Sequence, residues 1–182
     1  AELGIWKLDK YREHTGYVPQ DVFLFSDTIE NNISFGVKEF KSKEREKERI
    51  TESALDAGVL DDIKGFEHGF ETLLGERGVN LSGGQKQRIS IARALIREPE
   101  LLILDDCLSA VDVITEKHIL GRLKKGNETR STLVVSHRIS TIKDADLILV
   151  IEEGQIVERG THQELIKTGG LYAEMDKKQE SS

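Results

Sequence analysis

The sequence has 182 residues, a formal net charge of −7 and interspersed acidic and basic residues, which suits one globular domain with room for a buried core. That charge gives no general electrostatic reason to bind nucleic acid. The single cysteine, Cys107, excludes an internal disulfide and fits a reducing cytosol.

The chain opens on Ala1 rather than Met, and residues 1–8 carry no clear element start, as expected of a truncated reading frame or a processed chain. No signal peptide is visible, and no apolar run approaches the ~18–20 residues that span a bilayer. Strand-like runs alternate with helical patterns, which predicts an α/β sheet with crossovers.

The first run covers residues 16–18 and closes at Pro19-Gln20. Residues 38–57 are charged and favour helix. Their stretch 41–49 mixes lysine and arginine with glutamate, the pattern of a solvated helix face. The clearest helix covers 81–97: Ser82 with Gln85 three residues later is a capping box, Ile89, Ala92 and Leu95 repeat on one face, and Pro99 ends it.

Residues 101–104 follow as a short continuous apolar run, predicted as a strand covered on both faces. A helix over 113–125 and a strand over 131–135 come next. Residues 146–151 and 155–159 read as a hairpin across Glu153-Gly154. Thr161 with Glu164 forms a second capping box, opening a terminal pair of helices.

Three of the apolar runs end in polar groups: Gln20 after the first, Asp105 and Asp106 after the second, His137 after the strand at 131–135. Ligands of open parallel sheets bind beyond the carboxyl ends of the strands. An amide, two carboxylates and an imidazole at such ends predict one convergent site. One carboxylate can hold Mg²⁺, another can position a nucleophilic water, and a histidine can sense a transferring phosphoryl group. Each residue also has a plainer reading: a turn glutamine, helix-capping aspartates, a structural histidine. Recurrence of the placement favours the site.

The segment Leu81-Ser82-Gly83-Gly84-Gln85 supplies an anion site. Two glycines in a first turn leave backbone N–H groups open to a phosphate, and the helix dipole adds positive potential there. Glycine costs ~1 kcal/mol inside a helix, so a pair of them calls for a reason.

These residues resemble the ABC ATPase family. Leu81-Ser82-Gly83-Gly84-Gln85, with Ala92-Arg93-Ala94-Leu95, resembles its signature motif, and residues 101–106 resemble its Walker B strand. Tyr17-Val18-Pro19-Gln20 is similar to its Q-loop, Ser109-Ala110-Val111-Asp112 to its D-loop, and His137 to its switch histidine. The stretch 24–33 and the loop Gly75-Glu76-Arg77-Gly78 resemble the exporter branch.

The resemblance implies an ABC ATPase fold: a P-loop-NTPase-like parallel sheet with an inserted helical subdomain at about 27–97, and residues 98–182 as the C-terminal part of the RecA-like core. It implies ATP and Mg²⁺ as cofactors and a second ABC ATPase domain as partner. Ser82, Gly83, Gly84 and Gln85 would face the partner's ATP. Asp105 and Gln20 would hold the metal, Asp106 and His137 would be catalytic, and Asp112 would bridge the two sites. Transmembrane coupling helices would contact the Gln20 loop and Glu76-Arg77. The expected location is the cytoplasmic face of the plasma (inner) membrane.

Two departures stand out. No Gly-x-x-x-x-Gly-Lys-[Ser/Thr] occurs, so the Walker A loop is absent, and the chain by itself is expected neither to bind ATP tightly nor to hydrolyse it. Asp106 stands where the family usually has glutamate, one methylene longer. With an intact signature motif, that suggests the weakly hydrolytic half of a heterodimeric exporter. The competing readings are a soluble ABC ATPase of DNA repair or translation, and a non-catalytic module that kept the fold.

Overall fold

The computed structural model describes residues 7–75, 80–125 and 130–180. The chain divides into two compact units, Ala1–Val135 and Ser136–Ser182.

After α1 (Leu8–His14), the first unit is built on a parallel sheet of β1 (Thr15–Val18), β2 (Leu101–Asp105) and β3 (Ser131–Val135), with β2 in the middle. Thr15 pairs with Leu101, and Leu101 with Ser131, so Tyr17, Ile103 and Leu133 lie in one row. Val18, Leu102 and Leu104 are buried on the face that carries α5 (Gly83–Leu95). Gly16 permits that approach: a Cβ there would stand 2.9 Å from Pro99 Cγ and 3.2 Å from the Ala94 carbonyl oxygen.

The opposite face differs from the expectation of a strand covered on both sides. Leu101 and Ile103 are only half-buried, and Tyr17, Leu133 and Val135 are exposed. Among the described residues, α5 is the helix packed on the buried face. Period-two alternation then leaves every second side chain of the row near solvent.

Short helices fill the stretch between β1 and α5. Thr28 caps α2 (Ile29–Ser34) by accepting from Asn31 N, and Ser42 caps α3 (Lys43–Asp56) by accepting from Arg45 N. The Ser42 cap explains why α3 starts five residues later than its charge pattern predicts. Its charged run is solvated, with Arg45 and Glu48 paired at 3.2 Å, while Ile50, Ser53 and Ala54 face inward. Next come α4 (Leu60–Gly65) and a 3-10 turn at Gly69–Glu71. Helix α6 (Val113–Lys125) has the predicted bounds.

In the second unit, the short α7 (Ile139–Ile142) precedes β4 (Ile148–Glu152) and β5 (Gln155–Gly160), which form an antiparallel hairpin. Its turn is the predicted one, with Glu153 and Gly154 at φ of 48° and 77°, the left-handed pair that a two-residue hairpin loop needs. The capping box at Thr161 and Glu164 opens α8 (His162–Thr168), and Gly169 ends it at φ 73°. Glu158 then accepts from Leu171 N and Tyr172 N at the start of α9 (Leu171–Glu180). Ile139, Ile148, Val150, Leu165 and Tyr172 form the small core of this unit. No helix among the described residues is long and apolar enough to cross a membrane.

Candidate functional site

The sheet brings Gln20, Asp105 and Asp106 together at the carboxyl ends of β1 and β2. The Gln20 amide Nε2 lies 3.4 Å from Asp106 Oδ2. Tyr17 Oη donates to Asp105 Oδ2 at 3.0 Å. This contact follows from the pleat. Tyr17 pairs with Ile103, Asp105 lies two residues further on the same face, and the phenol ring spans the gap. Donating to a carboxylate raises the Tyr17 phenol above its usual pKa, with desolvation adding to the effect.

Asp106 leaves the strand at φ 44°, a left-handed turn that aspartate tolerates better than most side chains. Its N–H donates to the Val135 carbonyl at 2.9 Å, and its carbonyl accepts from Ser109 Oγ at 2.9 Å. The turn therefore re-aims the carboxylate away from the strand direction. The next residue, Cys107, is buried, and burial pushes its thiol up to about 12, which disfavours the nucleophilic thiolate.

These groups fit a magnesium ion through the donors they offer. Asp105 Oδ1 and Gln20 Oε1 are hard oxygen donors, the type Mg²⁺ takes, usually one or two carboxylates beside water and phosphate. Among the described residues no group of three His, Cys, Asp or Glu side chains could hold a metal alone.

A second group surrounds the start of α5. Ser82 Oγ accepts from Gln85 N at 3.2 Å while Gln85 Oε1 accepts from Ser82 N at 3.0 Å, so the predicted capping box is formed. Gln85 Nε2 donates to Asp62 Oδ1 at 2.8 Å, so both ends of that amide are engaged within the chain. Gly83 is exposed, and a Cβ there would meet only Ala110 Cβ at 3.7 Å. Gly84 has a different reason to be glycine. A Cβ there would stand 2.9 Å from the Ala110 carbonyl oxygen, so close packing of α5 on the loop 108–111 demands it, apart from any ligand. Gln87 Oε1 accepts from Ala110 N at 3.3 Å in the same contact.

Asp112 Oδ1 accepts from Ile114 N at 3.1 Å and Thr115 N at 3.0 Å, capping α6. The Thr115 backbone N–H, with the Thr115 side chain second, holds this carboxyl below the usual aspartate range. His137 belongs to the second unit, where it is exposed and its carbonyl accepts from Gln179 Nε2 at 2.7 Å. Glu76 and Arg77 lie outside the described residues.

Sequence reasoning did not single out Tyr17, Asp62, Gln87 or Arg88 as site residues. Arg88 carried a usable signal, since it lies three positions after Gln85 and so shares a face with it. Asp62 carried none, because its partners are more than twenty residues away.

A family model described as ABC transporter matches residues 2–109. The chain is 47% identical over 180 residues to "ATP-binding cassette sub-family B member 6" of Xenopus tropicalis, covering 99% of this chain and 21% of that protein. It is 47% identical to "Probable multidrug resistance ABC transporter ATP-binding/permease protein YheI" of Bacillus subtilis (strain 168), covering 95% of this chain and 29% of the relative. It is 46% identical to "ATP-dependent lipid A-core flippase" of Pasteurella multocida (strain Pm70), covering 93% and 28%. The solved structure of a bacterial Atm1-family ABC exporter with ATP bound superposes with a TM-score of 0.86 at 41% identity, over 92% of this chain and 29% of that chain. The chain thus spans under a third of the length of each of these relatives.

Proposed function

The chain belongs to the ABC transporter family, and from that premise we propose that it is the ATP-binding and ATP-hydrolysing region of an exporter, driving transport as two such domains close on ATP. The observation that carries this reading is the Gln20 amide against Asp106, 86 residues apart in sequence, with Asp105 beside them on the neighbouring strand.

In the proposed site Asp105 and Gln20 would hold Mg²⁺, whose chemistry there would be to neutralise charge on the phosphates. Asp106 would orient the attacking water, and His137, which lies in the second unit, is proposed as the histidine that senses the phosphoryl group. Ser82, Gly83 and Gly84 present the first turn of α5 to ATP held by the partner domain. Gln85 builds that turn through its capping bond to Ser82 N. Asp112 sits between the two sites at the head of α6. Residues of about 27–97 would form the helical subdomain, and 98–182, divided between the two units at Val135, would supply the C-terminal part of the core.

The partner is a second ABC ATPase domain of a different sequence. This domain supplies an intact signature turn, while its own carboxylate at 106 is one methylene short of glutamate. Transmembrane helices dock against the segment after Gln20 and at Glu76-Arg77. Exposed Phe23 and Phe35, joined through the Phe25 ring, support apolar contact in the segment after Gln20. The assembly sits on the cytoplasmic face of the plasma (inner) membrane. The soluble DNA-repair reading needs a long coiled coil after Gln20, and the longest described helix in 20–81 has 14 residues.

Asp105→Asn in the full-length transporter tests the reading. The variant should assemble normally, need far more Mg²⁺ for ATP-dependent activity, and lose turnover at this site. Wild-type metal dependence and turnover would reject the assignment.

A further inference from the structure

We infer that Asp62 is a positioning residue for the anion-binding turn at the start of α5, an inference that rests on the proposed role of that turn at the partner's ATP. Asp62 lies on α4 and divides its carboxylate between two side chains of α5. Oδ1 accepts from Gln85 Nε2 at 2.8 Å, and Oδ2 pairs with Arg88 Nη2 at 3.1 Å. The side chains of Asp62 and Arg88 are 27% and 14% exposed, so the pair is largely shielded.

The carboxylate decides which way the Gln85 amide points. An ionised carboxylate only accepts, so the amide must turn its NH₂ toward Asp62. That leaves Oε1 facing Ser82 N, where it accepts at 3.0 Å and completes the capping box. With the amide flipped, an NH₂ would face Ser82 N–H and the box would lose its acceptor. Arg88 acts on the same turn from below. Its Nε donates to the Gly84 carbonyl at 3.3 Å and its Nη1 to the Gly58 carbonyl at 2.9 Å. Asp62 thus holds the turn at both ends, through Gln85 above and Arg88 beneath. Two glycines make the turn pliant, so its outward N–H groups need this external hold to stay aligned for a phosphate.

The test is a donor–acceptor swap in the full-length transporter, reading KM for ATP, kcat and Tm separately. Gln85→Glu sets two carboxylates against each other and should lower kcat/KM about tenfold, because the turn loses its alignment. Adding Asp62→Asn restores a donor opposite the new acceptor while the glutamate still accepts from Ser82 N. The double variant should recover most of the loss. Asp62→Asn alone offers one acceptor oxygen to two donors, so its NH₂ faces either Gln85 or Arg88, and kcat/KM should fall by a comparable factor. No recovery in the folded double variant would overturn the inference, as would wild-type kinetics in Gln85→Glu. Gly83→Asp separates the two levels of the argument, since position 83 has room for a side chain. If Gly83→Asp hydrolyses ATP normally, the turn does not face a phosphate and the inference falls with that reading. If it is inactive and the swap shows no rescue, Asp62 alone is misassigned.

Discussion

Asp106 holds its carboxylate through a backbone at φ 44°, and that conformation bears on the residue chosen there. Aspartate is several-fold enriched among non-glycine residues in this region and glutamate is not. Asp106→Glu in the full-length heterodimer should therefore raise hydrolysis at this site, because the longer side chain brings the carboxylate about an ångström nearer the water. It should also lower stability by no more than about 1 kcal/mol. Single-site turnover, with the partner's site disabled, measures the first effect, and unchanged turnover would remove the case for a hydrolytically weak site. The convergence of Gln20 on Asp106 was legible from strand ends alone. The Tyr17 bond to Asp105 was not, since it depends on which residue of β2 stands opposite Tyr17.

Between elements, one cation ties the start of the helical region to α5. The guanidinium of Arg93 donates to the Asn32 carbonyl at 2.7 Å, Asn32 Oδ1 at 2.6 Å and the Phe23 carbonyl at 2.8 Å. It also lies 5.3 Å from the Phe25 ring centre and 5.8 Å from that of Phe35. Desolvation pulls its pKa down to about 10, so it stays charged at neutral pH. Asn32 is fully buried and also bonds the Phe25 N–H and the Phe25 and Thr28 carbonyls. Arg93→Met fills the volume but leaves these oxygens short of donors, and should cost about 2–4 kcal/mol of unfolding free energy. Chemical denaturation measures this. A loss below about 1 kcal/mol would mean water or a rearranged Asn32 replaces the guanidinium. The sequence marked Arg93 only as part of a motif. Helices α2 and α4 left weak traces because each is six residues long, too short for a 3.6-residue period to repeat convincingly.

Over the whole molecule, the open rows of apolar side chains set the behaviour of the isolated chain. Tyr17, Leu133 and Val135 are exposed in the first unit, and Leu149, Ile151, Ile156 and Val157 in the second. Parallel sheets occur almost only with both faces covered. The isolated chain should unfold with less than ~5 kcal/mol and show no heat of MgATP binding by calorimetry at concentrations that reveal millimolar affinity. Tight binding would mean that these residues contain a second phosphate cradle, and the absence of Gly-x-x-x-x-Gly-Lys-[Ser/Thr] would then lose its meaning.

What the sequence alone determined was local. Both capping boxes, the Glu153-Gly154 hairpin, the bounds of α6 and the order of polar groups after the strands follow from neighbours within about four residues, where hydrogen-bond partners and periodicities are written directly in the chain. Tertiary structure decided what depends on segments meeting across tens of residues. It set Asp62 on Gln85 and Arg88, gave Gly84 its tight approach to the Ala110 carbonyl, placed Arg93 on Asn32, and left one face of β2 half-covered. Spacing along a chain cannot specify these contacts, because a side chain's partner there is chosen by packing and by the hydrogen bonds that burial obliges it to make.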